Sequence, residues 1–249
     1  MASTMDIRVE EEGIALLTMN DTEEKNIFSE RFIDDFLTAF DRLESEIRPK
    51  VLILAGLSDV FSGGADKETL VNLCEGRILV KDLVLSERLV EAEFPIIAAM
   101  EGHAMGGGLA MALCCDIVIA ARESRYGAVF MNMGFTPGMG TTTLLRELVG
   151  PYIAAEMMFT GRRFKGSELE KKGTGINYIL PKEKVLPKAR DIALQIAEKN
   201  VKSLRLLKYS LSAVKKKLLI EARLQEDMMH RISFGYPETR DRIEEFYPE

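Results

Sequence analysis

Histidine and cysteine are scarce in this chain, with two His and three Cys among 249 residues. Two of the cysteines are adjacent, Cys114 and Cys115, which leaves no CxxC metal spacing and no disulfide framework. So few soft ligands exclude a structural zinc site, and the chain is expected to work without metal or cofactor. Positive charge is also short: 33 Lys and Arg stand against 39 Asp and Glu, a net charge of −6. Nothing in that balance supports nucleic-acid or anionic-membrane binding. Long apolar runs are missing too. The longest, Ala104 to Cys115, stops at Asp116, well short of the ~20 residues that cross a bilayer. The opening residues, Met1-Ala-Ser-Thr-Met-Asp, lack a secretory pattern, so a cytoplasmic protein is expected. No low-complexity tract or fixed-period repeat is present. What remains is ordinary globular composition, 47% hydrophobic and 29% charged, enough to build a full core.

Patterning predicts the elements. Residues 6–10 and 14–19 flank a turn at Glu12-Gly13 and read as a hairpin. Ser29 caps a helix running to about Ser45, with Phe32, Phe36, Phe40 and Leu43 on one face. Val51 to Ala55, Phe94 to Met100 and Ile117 to Ala120 are short continuous apolar runs, the mark of buried strands. Strands alternating with helices indicate an α/β architecture. From about Lys182 onward only helical periodicity appears. Three helices are predicted there: Pro187 to Asn200, one capped by Ser203, and Leu218 to Phe234.

Two glycine-rich turns share a design. Val51-Leu-Ile-Leu-Ala-Gly leads to Phe61-Ser-Gly-Gly-Ala-Asp66, and Ile96-Ile-Ala-Ala-Met leads to Gly102-His-Ala-Met-Gly-Gly-Gly108. Each is expected to carry a buried strand into a turn that opens a helix, the first capped by Asp66. Such turns expose backbone N–H groups at a helix N-terminus. Side by side, two of them can aim two donors at one oxygen, which is an oxyanion hole. Tight strand–helix packing without a ligand is the plainer reading of either turn alone. Neither turn is a GxxxxGK[ST] or a GxGxxG loop, so phosphoryl transfer and dinucleotide binding are set aside.

These two turns, followed by Cys115-Asp-Ile-Val-Ile-Ala-Ala and Gly134-Phe-Thr-Pro-Gly-Met-Gly140, resemble in order and spacing the crotonase (enoyl-CoA hydratase/isomerase) superfamily. The likeness covers about residues 6–249. It implies a spiral of ββα units over 1–190, and a C-terminal helical region over 191–249 that mediates trimerisation. It also implies an acyl-thioester substrate on CoA or acyl carrier protein, its carbonyl held by the N–H groups of Ala65 and Gly107.

Two acids that hydratases of this family carry are absent. The Glu two residues past the last glycine is Ala110 here, and the Glu four residues after the aromatic Tyr126 is Phe130. Neither side chain transfers protons, so hydration by a general acid/base pair is excluded. An oxyanion hole without a carboxylate base suits a reaction that makes its own carbanion, and loss of CO₂ from a carboxylate conjugated to the thioester does this.

A closer likeness agrees. Met100-Glu-Gly-His-Ala-Met-Gly-Gly-Gly, Phe130-Met-Asn-Met-Gly-Phe-Thr-Pro-Gly-Met-Gly140 and Glu226-Asp-Met-Met-His230 are similar to the decarboxylating members of polyketide β-branching cassettes. That likeness implies conversion of 3-methylglutaconyl-carrier protein to 3-methylcrotonyl-carrier protein, served by a Lys and a His. The His carries over to His230. The Lys is Lys81, with Lys67 as the alternative. Tyr126, Phe130 and Ala110 are expected at the acyl pocket, though core packing is the plainer role for the two aromatics. His103 is expected only to orient its turn. Arg162, Arg163, Lys165 and Lys215 to Lys217 form basic groups that fit an acidic carrier protein or CoA phosphates, or simply a solvated face. Two other functions stay open: an enoyl-thioester isomerase using His230 as base, and a non-catalytic acyl-thioester-binding scaffold.

Overall fold

A computed structural model describes residues 3–78 and 84–247. The predicted hairpin is β1 (Met5–Val9) and β2 (Ile14–Met19), paired antiparallel. Ser29 caps α1 (Glu30–Arg42), its side chain accepting from the Phe32 N–H. A single π turn, Leu43–Ile47, extends that helix. Phe32, Phe36, Phe40 and Leu43 are all fully buried, as their spacing demands.

The three apolar runs are β3 (Val51–Ala55), β5 (Ile96–Met100) and β7 (Ile117–Ala121). Each is followed by a short second strand that the apolar pattern alone did not show: β4 (Val60–Ser62), β6 (His103–Met105) and β8 (Arg125–Gly127). These are too short for a periodicity signal. The glycine turns therefore follow the second strand of each unit, and they open α2 (Lys67–Cys74) and α4 (Gly107–Cys114). The units coil so that first strands join one sheet, β1-β2-β3-β5-β7-β10, and second strands another, β4-β6-β8-β9. Strand β9 is Phe164–Lys165 and β10 is Tyr178–Leu180. Helix α3 (Leu85–Glu91) leads into β5, while α5 (Thr141–Val149), α6 (Pro151–Thr160) and α7 (Gly166–Lys171) follow β8.

Strand composition follows from burial on both faces. In β3, Leu52 and Leu54 enter the main core, while Val51, Ile53 and Ala55 face a second cluster with Val185, Ala189, Ala193 and Ala197. That four-residue spacing is one stripe of α8 (Lys182–Ala197). The helix begins before the predicted start, runs through Pro187 and crosses the boundary expected at 190. Its small side chains let it lie close on the sheet, and that packing offsets the one helical bond proline removes.

The two further predicted helices are one: α9 (Val201–Ser233), 33 residues with no Gly or Pro to break it. Its cap is Asn200, which accepts from the Lys202 and Ser203 N–H groups, rather than Ser203. Lys208, 4% exposed, holds it to the sheet by donating to both oxygens of Asp116, at 2.9 and 2.7 Å. Helix α10 (Pro237–Phe246) closes the described chain. Among the described residues no helix is long and apolar enough to cross a membrane.

Candidate active site

The two glycine turns meet back to back. Gly64 sits at φ +86°, and a Cβ on it would lie 2.8 Å from the Met105 carbonyl oxygen and 3.1 Å from the Gly107 nitrogen. Only glycine permits both that φ and that approach. A planar trans peptide points its N–H opposite its C=O, so a bond to the carbonyl orients the amide. The Phe28 N–H donates to the Gly64 carbonyl at 2.7 Å, which sets the direction of the Ala65 N–H in the same peptide. The Ala110 N–H donates to the Gly106 carbonyl at 3.1 Å. The Gly107 N–H therefore projects from the N-terminus of α4, where no intrahelical acceptor exists and the helix dipole favours negative charge. Ala65 and Gly107 line one cavity of about 230 Å³.

The rest of that cavity is largely apolar. Leu70 and Leu73 come from α2, Val129, Phe130 and Met133 from a 3₁₀ turn, and Phe234 from the C-cap of α9. Phe135 joins Phe130 edge-on and stacks on Phe234 at 4.6 Å. Among the described lining residues none is an Asp or a Glu, and Arg163 is the one Arg or Lys. Phe130 thus stands where expected. Ala110 and Tyr126 do not line the cavity. Ala110 is wholly buried within the core side of α4. The Tyr126 hydroxyl accepts from the Ala121 N–H at 2.8 Å and sits within donating range of the Met100 carbonyl. That side chain is spent on tying β8 to β7.

His230 reaches the cavity from α9 and is 5% exposed. Its Nε2 lies 2.9 Å from the Thr136 carbonyl oxygen. A carbonyl only accepts, so Nε2 carries the hydrogen and donates. Nδ1 is buried and has no hydrogen-bond partner among the described residues. Burial holds the imidazole pKa below its ordinary value, opposed by the Thr136 bond and by the charges of Glu226 and Asp227. Above that lowered value the ring is neutral, with a lone pair on Nδ1.

Glu226, one turn back on α9, is 1% exposed and does not line the cavity. Its carboxylate accepts from the Gly140 N–H (2.8 Å), the Thr142 N–H (2.9 Å) and the Thr142 hydroxyl (2.7 Å). It thereby satisfies the first turn of α5 and is not spare for proton transfer.

Lys81 lies outside the described residues. The described chain before it ends at Ile78, which lines an adjoining cavity of about 230 Å³ together with His230 and Asp227. Lys67 is the first residue of α2, next to the Asp66 cap that accepts from the Thr69 N–H at 2.6 Å, and it does not line the cavity of Ala65 and Gly107. His103 stays outside it too, its Nδ1 accepting from the Arg125 N–H at 2.9 Å. Two wall residues had no sequence signal, Phe246 and Tyr247. They arrive from the far end of the chain, and only the packing of α10 reveals them.

Comparison with known proteins matches this geometry to a lineage. The bacillaene synthase decarboxylase PksI of Bacillus subtilis (strain 168) is 38% identical over 95% of each chain. The structure reported for a dehydratase/decarboxylase enzyme couple involved in polyketide beta-branching superposes at TM-score 0.95, with 37% identity over 98% of this chain and 96% of that one. The ECH2 decarboxylase domain of CurF from Lyngbya majuscula follows at TM-score 0.92, with 34% identity over 99% and 100%. The enoyl-CoA hydratase/isomerase family profile matches residues 9–247. With paired glycine turns, a two-sheet spiral and near-complete coverage in agreement, the chain belongs to the enoyl-CoA hydratase/isomerase family.

Proposed function

We propose that this protein is a decarboxylase of polyketide β-branching, converting a 3-methylglutaconyl thioester on acyl carrier protein to the 3-methylcrotonyl thioester. The observation that carries the reading is the pair of oriented amides facing a cavity with no Asp or Glu among its described lining residues. The thioester oxygen accepts the Ala65 and Gly107 N–H groups. The bond to the terminal carboxylate breaks, CO₂ leaves, and its electron pair passes through the double bond into the carbonyl. The dienolate charge then rests on the oxygen those amides hold, so they bind it more strongly than the ground state. One proton on the γ carbon completes the reaction.

His230 is assigned that proton. Nε2–H is committed to Thr136, so only Nδ1 is left for a reacting group, and it donates only as imidazolium. The bound substrate carboxylate supplies the negative charge that favours the imidazolium. Lys81 is assigned to the departing carboxylate, supported by the wall that Ile78 shares with His230. Arg163, at the cavity, with Arg162 and Lys165 on the same segment, supplies the positive charge that suits an acidic carrier protein. Leu206, Leu207, Leu211, Val214 and Leu224 of α9 are more than half exposed, and we assign that apolar face to a homotrimer. A single-chain mass in sedimentation would overturn that assignment. We assign the protein to the cytoplasm, a compartment that keeps thiols such as Cys74, Cys114 and Cys115 reduced.

An isomerase that uses the bare Nδ1 as base is the second reading, favoured by that unpartnered nitrogen. It keeps every carbon. Incubation with 3-methylglutaconyl-carrier protein separates the two. CO₂ release matched by loss of the carboxyl group from the carrier-bound acyl chain is expected. A bound thioester that retains all its carbons would overturn the decarboxylase.

A further inference from the structure

We propose that Tyr247 is a positioning residue for the first amide of the oxyanion pair, clamping the turn through the Ala65 carbonyl. The Tyr247 hydroxyl donates to that carbonyl at 2.8 Å, across 182 residues of chain. Ala65 sits between two peptide planes. The plane before it, which contains the Ala65 N–H, is held by the Phe28 N–H on the Gly64 carbonyl at 2.7 Å. The plane after it is held by Tyr247. With both planes fixed, neither backbone dihedral of Ala65 is free, and the N–H keeps one direction.

The turn has particular need of such a restraint. Gly63 and Gly64 precede Ala65, and glycine is the residue with the most backbone freedom to lose. The second turn differs: its amide belongs to α4, and the Ala110 to Gly106 helical bond orients it. The first donor precedes its helix, so no helical bond orients it; the Phe28 bond does so from another segment, and the Tyr247 bond fixes the next plane.

Tyr247 also lines the acyl cavity, yet its one polar atom is turned to backbone. Burial pushes that hydroxyl up to about 12, with Asp66 adding to the rise and Arg163 opposing it. It therefore stays a donor across the working pH range.

The inference rests on Ala65 being an oxyanion donor, not on loss of CO₂ being the reaction. The test therefore includes a readout independent of turnover. A conjugated aryl-enoyl thioester, such as a cinnamoyl thioester, absorbs further to the red when its carbonyl is polarised. Tyr247→Phe removes only the oxygen. It should bind that probe with a smaller red shift than wild type, lower kcat about tenfold as for one lost hydrogen bond, and leave KM within about twofold of wild type. Phe246→Leu, which alters the same wall without touching a polar atom, should raise KM while keeping the full red shift. Wild-type red shift and kcat in Tyr247→Phe would overturn the proposal, as would an equal loss of shift in Phe246→Leu. If the wild-type enzyme shifts the probe but releases no CO₂, the decarboxylase reading fails and the role of Tyr247 stands.

Discussion

Ala65 and Gly107 present main-chain N–H groups aimed by main-chain bonds, whereas His230 and Tyr247 reach the same cavity as side chains from helices laid over the spiral. One wall offers main-chain donors, the first of them held from behind by the Tyr247 hydroxyl. The other offers side chains. The backbone wall can hold charge on an oxygen but cannot exchange a proton, and the side-chain wall can do the reverse. A reaction that forms an enolate without a base and then needs a single proton divides along that line.

Substitutions that strike one wall at a time test the division. The largest effect is expected from Gly64→Ala. Its Cβ meets the Met105 carbonyl at φ +86°, so the turns must part and the first donor moves. We expect kcat to fall ~10²–10³-fold, as when one oxyanion donor is lost, with the shape of the pH–rate curve kept. His230→Ala comes next, with a loss of ~10²-fold or more. Wild-type kcat/KM should decline as pH rises through the lowered imidazole pKa, because only the protonated ring of the free enzyme donates. The alanine variant should lack that decline. An unchanged rate in His230→Ala would move the proton source elsewhere. The smallest effect is expected from Glu226→Gln. It removes a charge that raises the His230 pKa, so the declining limb should move to lower pH. Weaker capping of α5 should cost about 1.5–3 kcal/mol in urea unfolding.

Legibility in the sequence divides along the same line. The glycine turns are contiguous, and a residue type that exists to free φ announces its purpose, so both turns and the Asp66 cap were readable, while Ala65 and Gly107 were singled out within them by the family resemblance. The strands β3, β5 and β7 were readable because burial on both faces leaves unbroken apolar runs. Strands β4, β6 and β8, of three residues each, leave no such trace. His230 stood out only through its neighbours Glu226 to Met229, since one histidine on a helix has no pattern of its own. Tyr126 was left between the acyl pocket and the core, because an aromatic near a motif and an aromatic in the core look alike until its hydroxyl partners are known. Tyr247 was invisible, for its partner is a carbonyl 182 positions away.

Helix α9 has one more consequence. At 1.5 Å per residue its 33 residues span about 50 Å, with the Lys208–Asp116 fastening near one end and the imidazole near the other. Without a glycine or proline joint, it behaves as a beam rather than a chain of independent turns. Whatever steadies the rivet at Lys208 also steadies the aim of a nitrogen six turns away.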